Sequence, residues 1–231
     1  VTAGVDIQDD RAEIEYLGHG LEEETWSLDY LRLYGDPTSR QFWEAIDEAL
    51  ARRFTHPSGR SLAIEAACVD SGGHHTQAVY DFCRPRAGRR VWAIKGAAGP
   101  RPIWPEKATK NAAKRINVFI VGVDTAKDTV YKRLAIAEPG PGYCHFPKRY
   151  GEAYFEGLTA ERAVTKYRNG FPYVAWEKED SARNEPLDCR VYALAARLSL
   201  KVDLPRRAVM LAVAPPPDAA ATRAENAQVR A

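Results

Sequence analysis

The sequence predicts a mixed α/β domain, in which one sheet with antiparallel and parallel strands is flanked by helices. Three observations predict this class. Strand-like runs come first and are followed by a helical segment, later apolar runs alternate with helical spacing, and 45% apolar content in 231 residues is enough for one large core. We therefore expect a single domain rather than several.

The amino-terminal part predicts three strands and a helix. Residues 5–8 are a short apolar stretch, and the runs 12–18 and 25–31 alternate between apolar and polar residues, as half-buried strands do. Apolar residues then recur at helical spacing over 42–54, after a start signal at 36–39. This order indicates an antiparallel meander followed by a helix.

The middle of the chain alternates between strand and helix patterns. The run 61–69 predicts a central strand that stops at a glycine turn, and helical spacing follows over 79–83. Further strands are predicted at 91–94 and 117–123, and a helix at 129–136. Such alternation indicates parallel strands joined by crossovers.

The carboxyl-terminal part begins with turn signals and aromatic residues over 139–170. A late strand at 171–177 can pair with a strand just before it, and Asn184 can cap a final helix that extends to Leu198. From Asp203 the chain is rich in Pro, Ala and charge. We expect a domain over 1–202 and a flexible tail over 203–231.

Charge is segregated along a chain that is nearly neutral overall. The formal net charge is +2, but residues 9–48 hold twelve acids and three bases, whereas residues 83–115 hold ten bases and one acid. This distribution predicts one anionic flank and one edge that binds a polyanion.

The four cysteines have neither C-x-x-C spacing nor companion histidines, so we expect reduced, buried thiols in an intracellular protein. No apolar run is long enough to span a bilayer, which gives no reason to expect a membrane. The start at Val1 is neither a signal peptide nor a Met start. We expect it to be the cut edge of a longer chain.

Three aspartates stand where an α/β sheet places its ligands, at strand ends and on the helix beside them. Asp6 interrupts an apolar strand, where an ionised carboxylate is costly unless it is compensated. Asp70 ends the fourth predicted strand, and if that strand lies beside the first, a spacing of about 4.8 Å lets both carboxylates reach one ion. Asp188 and Glu185 are three residues apart, so both side chains project from one face of the last helix.

Carboxylates gathered in this way repel one another, and a bound divalent cation is a usual resolution. Oxygen-only ligands favour Mg²⁺ or Mn²⁺ over zinc. Two such ions about 4 Å apart can orient an attacking water and stabilise the leaving oxygen of a phosphodiester. The cluster therefore predicts a metal-dependent phosphodiesterase.

Six short motifs in one order are more specific together than any of them alone. They are Gly4-Val5-Asp6-Ile7-Gln8, Val69-Asp70-Ser71-Gly72, Trp92-Ala93-Ile94-Lys95-Gly96, Gly122-Val123-Asp124-Thr125-Ala126-Lys127-Asp128, Gly140-Pro141-Gly142-Tyr143-Cys144-His145-Phe146-Pro147 and Asn184-Glu185-Pro186-Leu187-Asp188-Cys189-Arg190-Val191-Tyr192. With these motifs, the chain resembles the nuclease domain of phage terminase large subunits of the lambda-like (GpA) family over nearly all of residues 4–198.

The resemblance implies an RNase H-like fold of the type shared with RuvC. It implies that Asp6, Asp70 and Asp188 hold Mg²⁺ or Mn²⁺, with two ions expected, and that Glu185 and Lys95 assist catalysis. It also implies double-stranded concatemeric viral DNA as substrate, and the terminase ATPase domain, the small terminase subunit and the portal as partners in the host cytoplasm. The Walker A pattern is absent from the sequence, so ATP hydrolysis is not assigned to this chain.

The same acids have ordinary structural explanations. Asp6 can pair with a nearby arginine, and Asp70 can form the turn before two glycines. Asp188 and Glu185 can simply favour the positive end of a helix. The order of the motifs leads us to prefer metal binding for the three aspartates.

Other polar residues near the predicted strand ends are weaker candidates. Asp124 and Asp128 are either cleft residues or charges at a helix start, and Lys95 is either a phosphate contact or a solvated lysine. The pair His74-His75 follows a glycine turn and precedes a helix. That position is more typical of capping and solvent exposure than of a zinc site.

The basic segment 84–115 mixes its cations with Trp92 and Trp104, which predicts a loop that follows a DNA backbone. The alternative is a solvated loop. We expect DNA contacts from Arg84, Arg86, Arg89, Arg90, Lys95, Arg101, Lys107, Lys110, Lys114 and Arg115.

Two other functions remain open from the sequence. One is a different RNase H-like nuclease, of the resolvase or transposase type. The other is a DNA-binding module whose carboxylates serve only structure. The motifs around His145 and from Asn184 to Asp188 favour the terminase nuclease over the first.

Overall fold

The computed structural model of the chain describes residues 1–111 and 115–212. The strands in this part are β1 Thr2–Ile7, β2 Arg11–His19, β3 Thr25–Tyr34, β4 Arg53–Thr55, β5 Ser61–Ala63, β6 Ala66–Asp70, β7 Val91–Ala97, β8 Thr109–Asn111, β9 Ile116–Gly122, β10 Cys144–His145, β11 Glu161–Arg168 and β12 Phe171–Lys178. The α-helices are α1 Arg40–Leu50, α2 Thr76–Cys83, α3 Val123–Leu134, α4 Glu152–Leu158, α5 Glu185–Ser199 and α6 Leu204–Ala212. Short 3-10 helices span Leu21–Glu23 and Arg84–Arg89.

Eight strands form one mixed sheet in the order β10-β3-β2-β1-β6-β7-β9-β8. Strands β1, β2 and β3 are antiparallel, whereas β1, β6, β7 and β9 run parallel to one another. Strands β4 and β5 pair as a small hairpin, and β11 and β12 pair as a longer one. The predicted mixed α/β class, with its antiparallel meander and parallel crossovers, is confirmed.

Helices cover both faces of the sheet. On one face α1 and α2 contribute Phe42, Ile46 and Phe82 to a core with alternate residues of β1. On the other face, α3, α4 and α5 form a second core that includes Leu158 and Val191. Because side chains alternate along a strand, β1 supplies apolar residues to the first core and turns its remaining positions toward α5.

Two elements differ from the sequence prediction in the middle of the chain. The run 61–69 is not one strand, because residues 61–63 pair with β4 and a new strand, β6, begins at Ala66. Helix α3 begins at Val123 rather than at residue 129. Its first turns carry the buried charged residue Lys127 on the core side, which hides the apolar periodicity that sequence analysis relies on.

The segment 139–170 contains more structure than its turn signals predict. It holds β10, α4 and β11, and the buried side chains of Tyr154 and Leu158 anchor α4 to the core. The late strand predicted at 171–177 is β12, and it pairs with β11 just before it.

The expectation of a flexible tail from residue 203 is wrong for residues 204–212, which form α6. Asp203 accepts a hydrogen bond from the amide of Arg206 at 2.9 Å, and Arg207 pairs with both oxygens of Glu65 at 2.7 and 3.0 Å. These contacts stabilise a helix that composition alone does not indicate. The remainder of the expected tail lies outside the described residues.

The four cysteines are buried and form no disulfide, as expected. None of the helices in the described ranges is both long and apolar enough to cross a bilayer.

Candidate active site

The sheet brings Asp6 and Asp70 to the same edge. Strands β1 and β6 are parallel neighbours with Val5 opposite Val69, so the two aspartates follow as the next pair in register. They lie at the carboxyl ends of both strands and on one face of the sheet. The prediction that the fourth strand lies beside the first is confirmed for β6 and β1.

Helix α5 approaches this face of the sheet at Gly4. A Cβ atom at Gly4 would stand only 1.9 Å from the carbonyl oxygen of Cys189 and 2.6 Å from the amide nitrogen of Ala193. Only glycine permits such a close approach of helix and strand. Asp188, which precedes Cys189, is thereby held beside Asp6.

The three aspartates influence one another electrostatically. Burial raises the pKa of Asp6 well above its usual value, and the charges of Asp188 and Asp70 raise it further. Burial raises the pKa of Asp188 to about 7, against the opposing effect of Lys127. Burial also raises the pKa of Asp70, although backbone amides and the charge of Lys95 lower it. A cation at this position would relieve the repulsion between the carboxylates.

Each of the three carboxylates accepts a hydrogen bond from the protein. Gln8 donates to Asp6 at 2.7 Å, the amide of Gly72 donates to Asp70 at 3.0 Å, and Asn184 donates to Asp188 at 2.9 Å. In residues 1–111 and 115–212, no three Asp, Glu, His or Cys side chains are already gathered as a metal-binding group. Coordination of one ion by the three aspartates therefore requires side-chain rotations.

A buried ion pair that the sequence analysis missed supports Asp188. Lys127 is only 8% exposed and contacts both oxygens of Glu161, at 2.7 and 2.8 Å. Asn184 donates to Glu161 at 2.8 Å as well as to Asp188, and the Lys127 ammonium lies 4.0 Å from Asp188. The spacing of these residues in the sequence gave no sign that they meet, because they come from three separate elements.

Glu185 lies close enough for its charge to raise the pKa of both Asp6 and Asp188, but it is held by arginines. Arg11 contacts Glu185 at 2.6 Å, and Arg183 contacts it at 3.4 Å. The same two arginines contact Glu13, which is fully buried on β2 opposite Asp6. Glu185 thus belongs to an arginine–carboxylate network that borders the three aspartates.

Tyr192 is a second residue that sequence analysis missed. It follows Asp188 by four residues, so both side chains lie on one face of α5. Burial raises the pKa of the Tyr192 hydroxyl well above its usual value, and the charges of Asp188, Asp70 and Asp6 raise it further. This phenol therefore stays protonated and lies near all three carboxylates.

The remaining candidates divide between the site and its surroundings. Lys95 follows Ile94, the residue paired with Asp70, and its charge lowers the pKa of Asp70. Asp124 accepts a hydrogen bond from the amide of Gly99 at 2.7 Å and so holds the loop after β7. Asp128 is exposed on α3.

The pair His74-His75 contacts Asp9 rather than the three aspartates. The ring nitrogens lie 3.1 and 3.2 Å from one oxygen of Asp9, and the side chains of Asp9 and His74 are largely exposed. The structure thus places the pair in the loop region after β1 and β6. His74 is exposed as expected, whereas His75 is only partly exposed and its side chain makes no capping hydrogen bond to α2.

The basic residues expected to bind DNA lie near both ends of the parallel strands. We call the side where these strands end the carboxyl edge and the side where they begin the amino edge. Lys95, Arg101 and Lys107 lie on or after the end of β7, at the edge that holds the aspartates. The amino edge holds Arg84, Arg86, Arg89, Arg90, Lys110 and Arg115, while Lys114 lies outside the described residues. Three of the amino-edge group, Arg84, Lys110 and Arg115, line one cleft of about 390 Å³.

Three cations of the amino edge are already paired, because Arg84 contacts Asp81 at 2.9 Å and two further arginines contact Asp47. Arg86 contacts Asp47 at 2.8 and 2.9 Å, and Arg89 contacts the same carboxylate at 2.6 Å. These ion pairs join the 3-10 helix before β7 to α1. Arg86 and Arg89 therefore have a structural role at the amino edge.

Fold and site together define an α/β protein with a carboxylate centre at the carboxyl edge of parallel strands. The chain belongs to the family of terminase large subunit gpA endonuclease domains, whose model matches residues 1–208.

Two curated relatives agree with this family. The chain is 36% identical to the terminase large subunit of Escherichia phage lambda over 211 residues, which cover 87% of this chain and 32% of that protein. It is 30% identical to the terminase large subunit of Enterobacteria phage P21 over 223 residues, covering 92% of this chain and 34% of that protein. The chain thus spans about a third of the length of these relatives. No solved structure matches it.

Proposed function

We propose that this chain is a metal-dependent endonuclease domain that cleaves double-stranded concatemeric viral DNA during phage DNA packaging. The observation that carries the proposal is the set of three buried aspartates on β1, β6 and α5 at the carboxyl edge of the sheet, where the charges of Asp70 and Asp188 raise the pKa of Asp6. Membership of the endonuclease-domain family supports the same reaction.

An RNase H-like fold is part of the proposal. Three antiparallel strands are followed by parallel strands, helices cover both faces, and the aspartates lie at the ends of β1 and β6 and on α5. This arrangement fits the fold that the motifs imply. We also propose that residues 1–202 form the catalytic domain, with α6 as an extension.

The donor set fits hard divalent cations. Asp6, Asp70 and Asp188 offer only oxygen ligands, and their mutual repulsion is relieved by positive charge. When bound, Mg²⁺ or Mn²⁺, with two ions proposed, would supply the charge that activates a water and stabilises the leaving oxygen of the phosphodiester. The three aspartates would hold the ions.

Neighbouring side chains orient these ligands. Asn184 donates hydrogen bonds to Glu161, the partner of Lys127, and to one oxygen of Asp188, and so orients the Asp188 carboxylate. Gln8 orients the Asp6 carboxylate by a hydrogen bond of the same kind. Lys95 can neutralise a phosphate oxygen of the DNA beside Asp70. Glu185, held by Arg11, borders the centre and assists through its charge.

The wider setting of the reaction is also proposed. The relatives are named as large subunits of terminases. We propose that an ATPase domain, a small terminase subunit and a portal present the DNA to this domain in the host cytoplasm, and that the domain alone cuts DNA with little sequence preference.

Supercoiled plasmid with Mn²⁺ or Mg²⁺ tests the proposal. Wild type should nick and linearise the plasmid, and Asp6→Asn or Asp70→Asn should slow cleavage by about 100-fold or more, since even the partners of metal ligands cost 10- to 100-fold when changed. Asp81→Asn, at an exposed aspartate paired with Arg84, is the matched control and should cut like wild type.

Thermal melting gives a second measurement that does not depend on cleavage. Mn²⁺ should raise the Tm of wild type and of Asp81→Asn, but not that of Asp70→Asn. In the absence of metal, Asp70→Asn should melt above wild type, because it removes one of three repelling charges. Intact plasmid with folded wild type, or equal cutting by Asp70→Asn, would refute the proposal.

A further inference from the structure

The hairpin of β11 and β12 exposes unusually many aromatic residues. Tyr167 is 72% exposed, Phe171 is 76% exposed and Tyr173 is 46% exposed. A two-stranded hairpin is marginally stable by itself, and exposed apolar side chains on one usually mark a contact surface. Phe171 and Tyr173, which share one face of the hairpin, therefore indicate a surface for a ligand or partner.

The two faces of the hairpin differ in chemistry. The strand register pairs Lys166 with Tyr173, Arg168 with Phe171 and Arg162 with Glu177, all on one face of the hairpin. We call the basic and aromatic residues of that face, Arg162, Lys166, Arg168, Phe171 and Tyr173, the basic face, and Glu177 is the one acid beside them. The opposite face carries Tyr167, Val174 and Trp176 and no charge between its two ends.

Near Trp176 the hairpin turns its other face toward the body of the protein, whereas toward the turn both faces are exposed. Trp176 packs against Tyr131 of α3, with ring centroids 4.7 Å apart, and the Tyr131 hydroxyl donates to the carbonyl oxygen of Glu161. The basic face therefore points away from α3. Within the described residues Arg162 and Arg168 form no ion pair, whereas Lys166 contacts Glu177.

The root of the hairpin adjoins the candidate active site. Glu161, the first residue of β11, binds Lys127 and shares Asn184 with Asp188. Arg162 lines a cleft of about 680 Å³ together with Arg183 and Glu185. The basic face thus continues from the edge of the carboxylate centre.

We infer that the basic face binds the phosphate backbone of duplex DNA next to the point of cleavage. The inference rests on the proposed nuclease function. Arg162, Lys166 and Arg168 would contact phosphates, and Phe171 and Tyr173 would contact sugars and base edges. A carboxylate centre repels DNA, so cations close to it are needed to hold the duplex there. The position of Arg162 and Glu161 beside the carboxylate centre favours DNA over a protein partner.

Fluorescence anisotropy with a short duplex, in buffer without divalent metal, tests this inference. Arg162→Gln with Arg168→Gln should weaken binding about 10-fold and lower the slope of affinity against salt by about one for each cation removed. Phe171→Ala with Tyr173→Ala should weaken binding without changing that slope. Tyr167→Ala with Val174→Ala, on the opposite face, is the matched control and should bind like wild type.

Circular dichroism of each variant checks that the domain remains folded. Wild-type affinity and salt slope in the Arg162 and Arg168 double variant would overturn the inference, as would equal losses in the Tyr167 and Val174 control. Sedimentation tests whether the basic face instead binds a second copy of this chain. If wild type is a dimer, the basic-face variants are monomers and their DNA affinity is unchanged, the DNA inference is wrong.

Binding and cleavage fail in different ways. If wild type does not cut plasmid but the basic-face variants lose DNA affinity, the proposed nuclease function fails and the inference stands. If wild type cuts plasmid and the basic-face variants bind and cut equally well, the nuclease proposal stands and the inference fails.

Discussion

At the scale of single residues, the site depends on charges that are costly to bury. Lys127 and Glu161 are 8% and 6% exposed, and each is compensated mainly by the other. Removing one member of such a pair leaves an uncompensated charge, which destabilises a protein far more than removing both. Lys127 therefore serves the fold as well as the orientation of Asp188.

Lys127→Met should destabilise the domain by about 3–5 kcal/mol, because Glu161 loses its partner. Cleavage of plasmid should fall about 10- to 100-fold, since Asn184 and Asp188 lose their fixed positions. Urea unfolding and the Mn²⁺ plasmid assay measure the two effects separately.

The double variant Lys127→Met with Glu161→Gln separates folding from catalysis. It should regain stability to within about 1 kcal/mol of wild type, because no buried charge is left alone, while cleavage stays low. Wild-type cutting by this double variant would show that the pair is purely structural.

The sequence predicts the three aspartates as site residues, but it does not predict the residues that contact them. Asp6 and Asp70 stand at ends of apolar runs, where a carboxylate is conspicuous. Lys127, Glu161 and Asn184 meet only because α3, β11 and α5 converge, and nothing local predicts that contact. Tyr192 resembles any aromatic residue on the apolar side of a helix.

At the scale of elements, the contact between α5 and β1 sets the site. Its closeness depends on Gly4, which has no side chain to separate helix and strand. Gly4→Ala should destabilise the domain by about 3 kcal/mol or more, because the added Cβ overlaps the backbone of α5. The substitution should also displace Asp188 and so reduce cleavage. Urea unfolding measures the loss of stability, and the Mn²⁺ plasmid assay measures the loss of cleavage.

Gly88→Ala is the matched control for that prediction. A Cβ atom at Gly88 meets nothing within 4 Å. The free energy of unfolding should change by less than about 1 kcal/mol, and cleavage should be unchanged. If Gly88→Ala lost as much stability or cleavage as Gly4→Ala, the close approach of α5 to β1 would not explain the effect of the Gly4 substitution.

Strong periodicity explains which elements the sequence predicts. Strands β1 to β3, helix α1 and helix α5 show clear two- or 3.6-residue patterns and lie close to their predicted positions. Helix α4 was missed because it is only seven residues long and lies among glycines and aromatic residues. Helix α6 was missed because the composition around it is typical of a tail, and its contact between Arg207 and Glu65 joins residues far apart in sequence.

At the scale of the whole molecule, the basic residues of the segment 84–115 are close in sequence but lie at two opposite edges of the sheet. Strand β7 takes the chain from the amino edge to the carboxyl edge, and β8, which is antiparallel to β9, takes it back, so residues 84–115 do not form one loop. Arg86 and Arg89 join α1 to the amino edge through Asp47 instead.

Asp47→Asn tests that structural role. Hydrogen bonds and charge from Arg86 and Arg89 lower the pKa of Asp47 to about 2, below its usual value near 4. A lowered pKa in the folded state stabilises the protein above the unfolded value, and this stabilisation is lost as the pH falls through 2. At pH 7 the variant should be less stable by about 1 kcal/mol, after allowing for solvent screening of a partly exposed pair.

Urea unfolding of wild type and variant from pH 7 down to pH 3 measures this difference. It should be constant above about pH 5 and shrink below pH 4, because Asp47 of wild type then takes up a proton in the unfolded state but not yet in the folded state. A difference that does not vary with pH would mean that the stabilisation by Arg86 and Arg89 does not require the negative charge of Asp47.

The buried thiols have a practical consequence for spectroscopy. Burial raises the pKa of Cys68 and Cys189, and all four cysteines are shielded from solvent in the folded chain. A new cysteine at the exposed position Thr165 of the hairpin would therefore be labelled selectively by maleimide, with no need to replace the native ones. A fluorophore or spin label at that position would report the distance between hairpin and duplex directly.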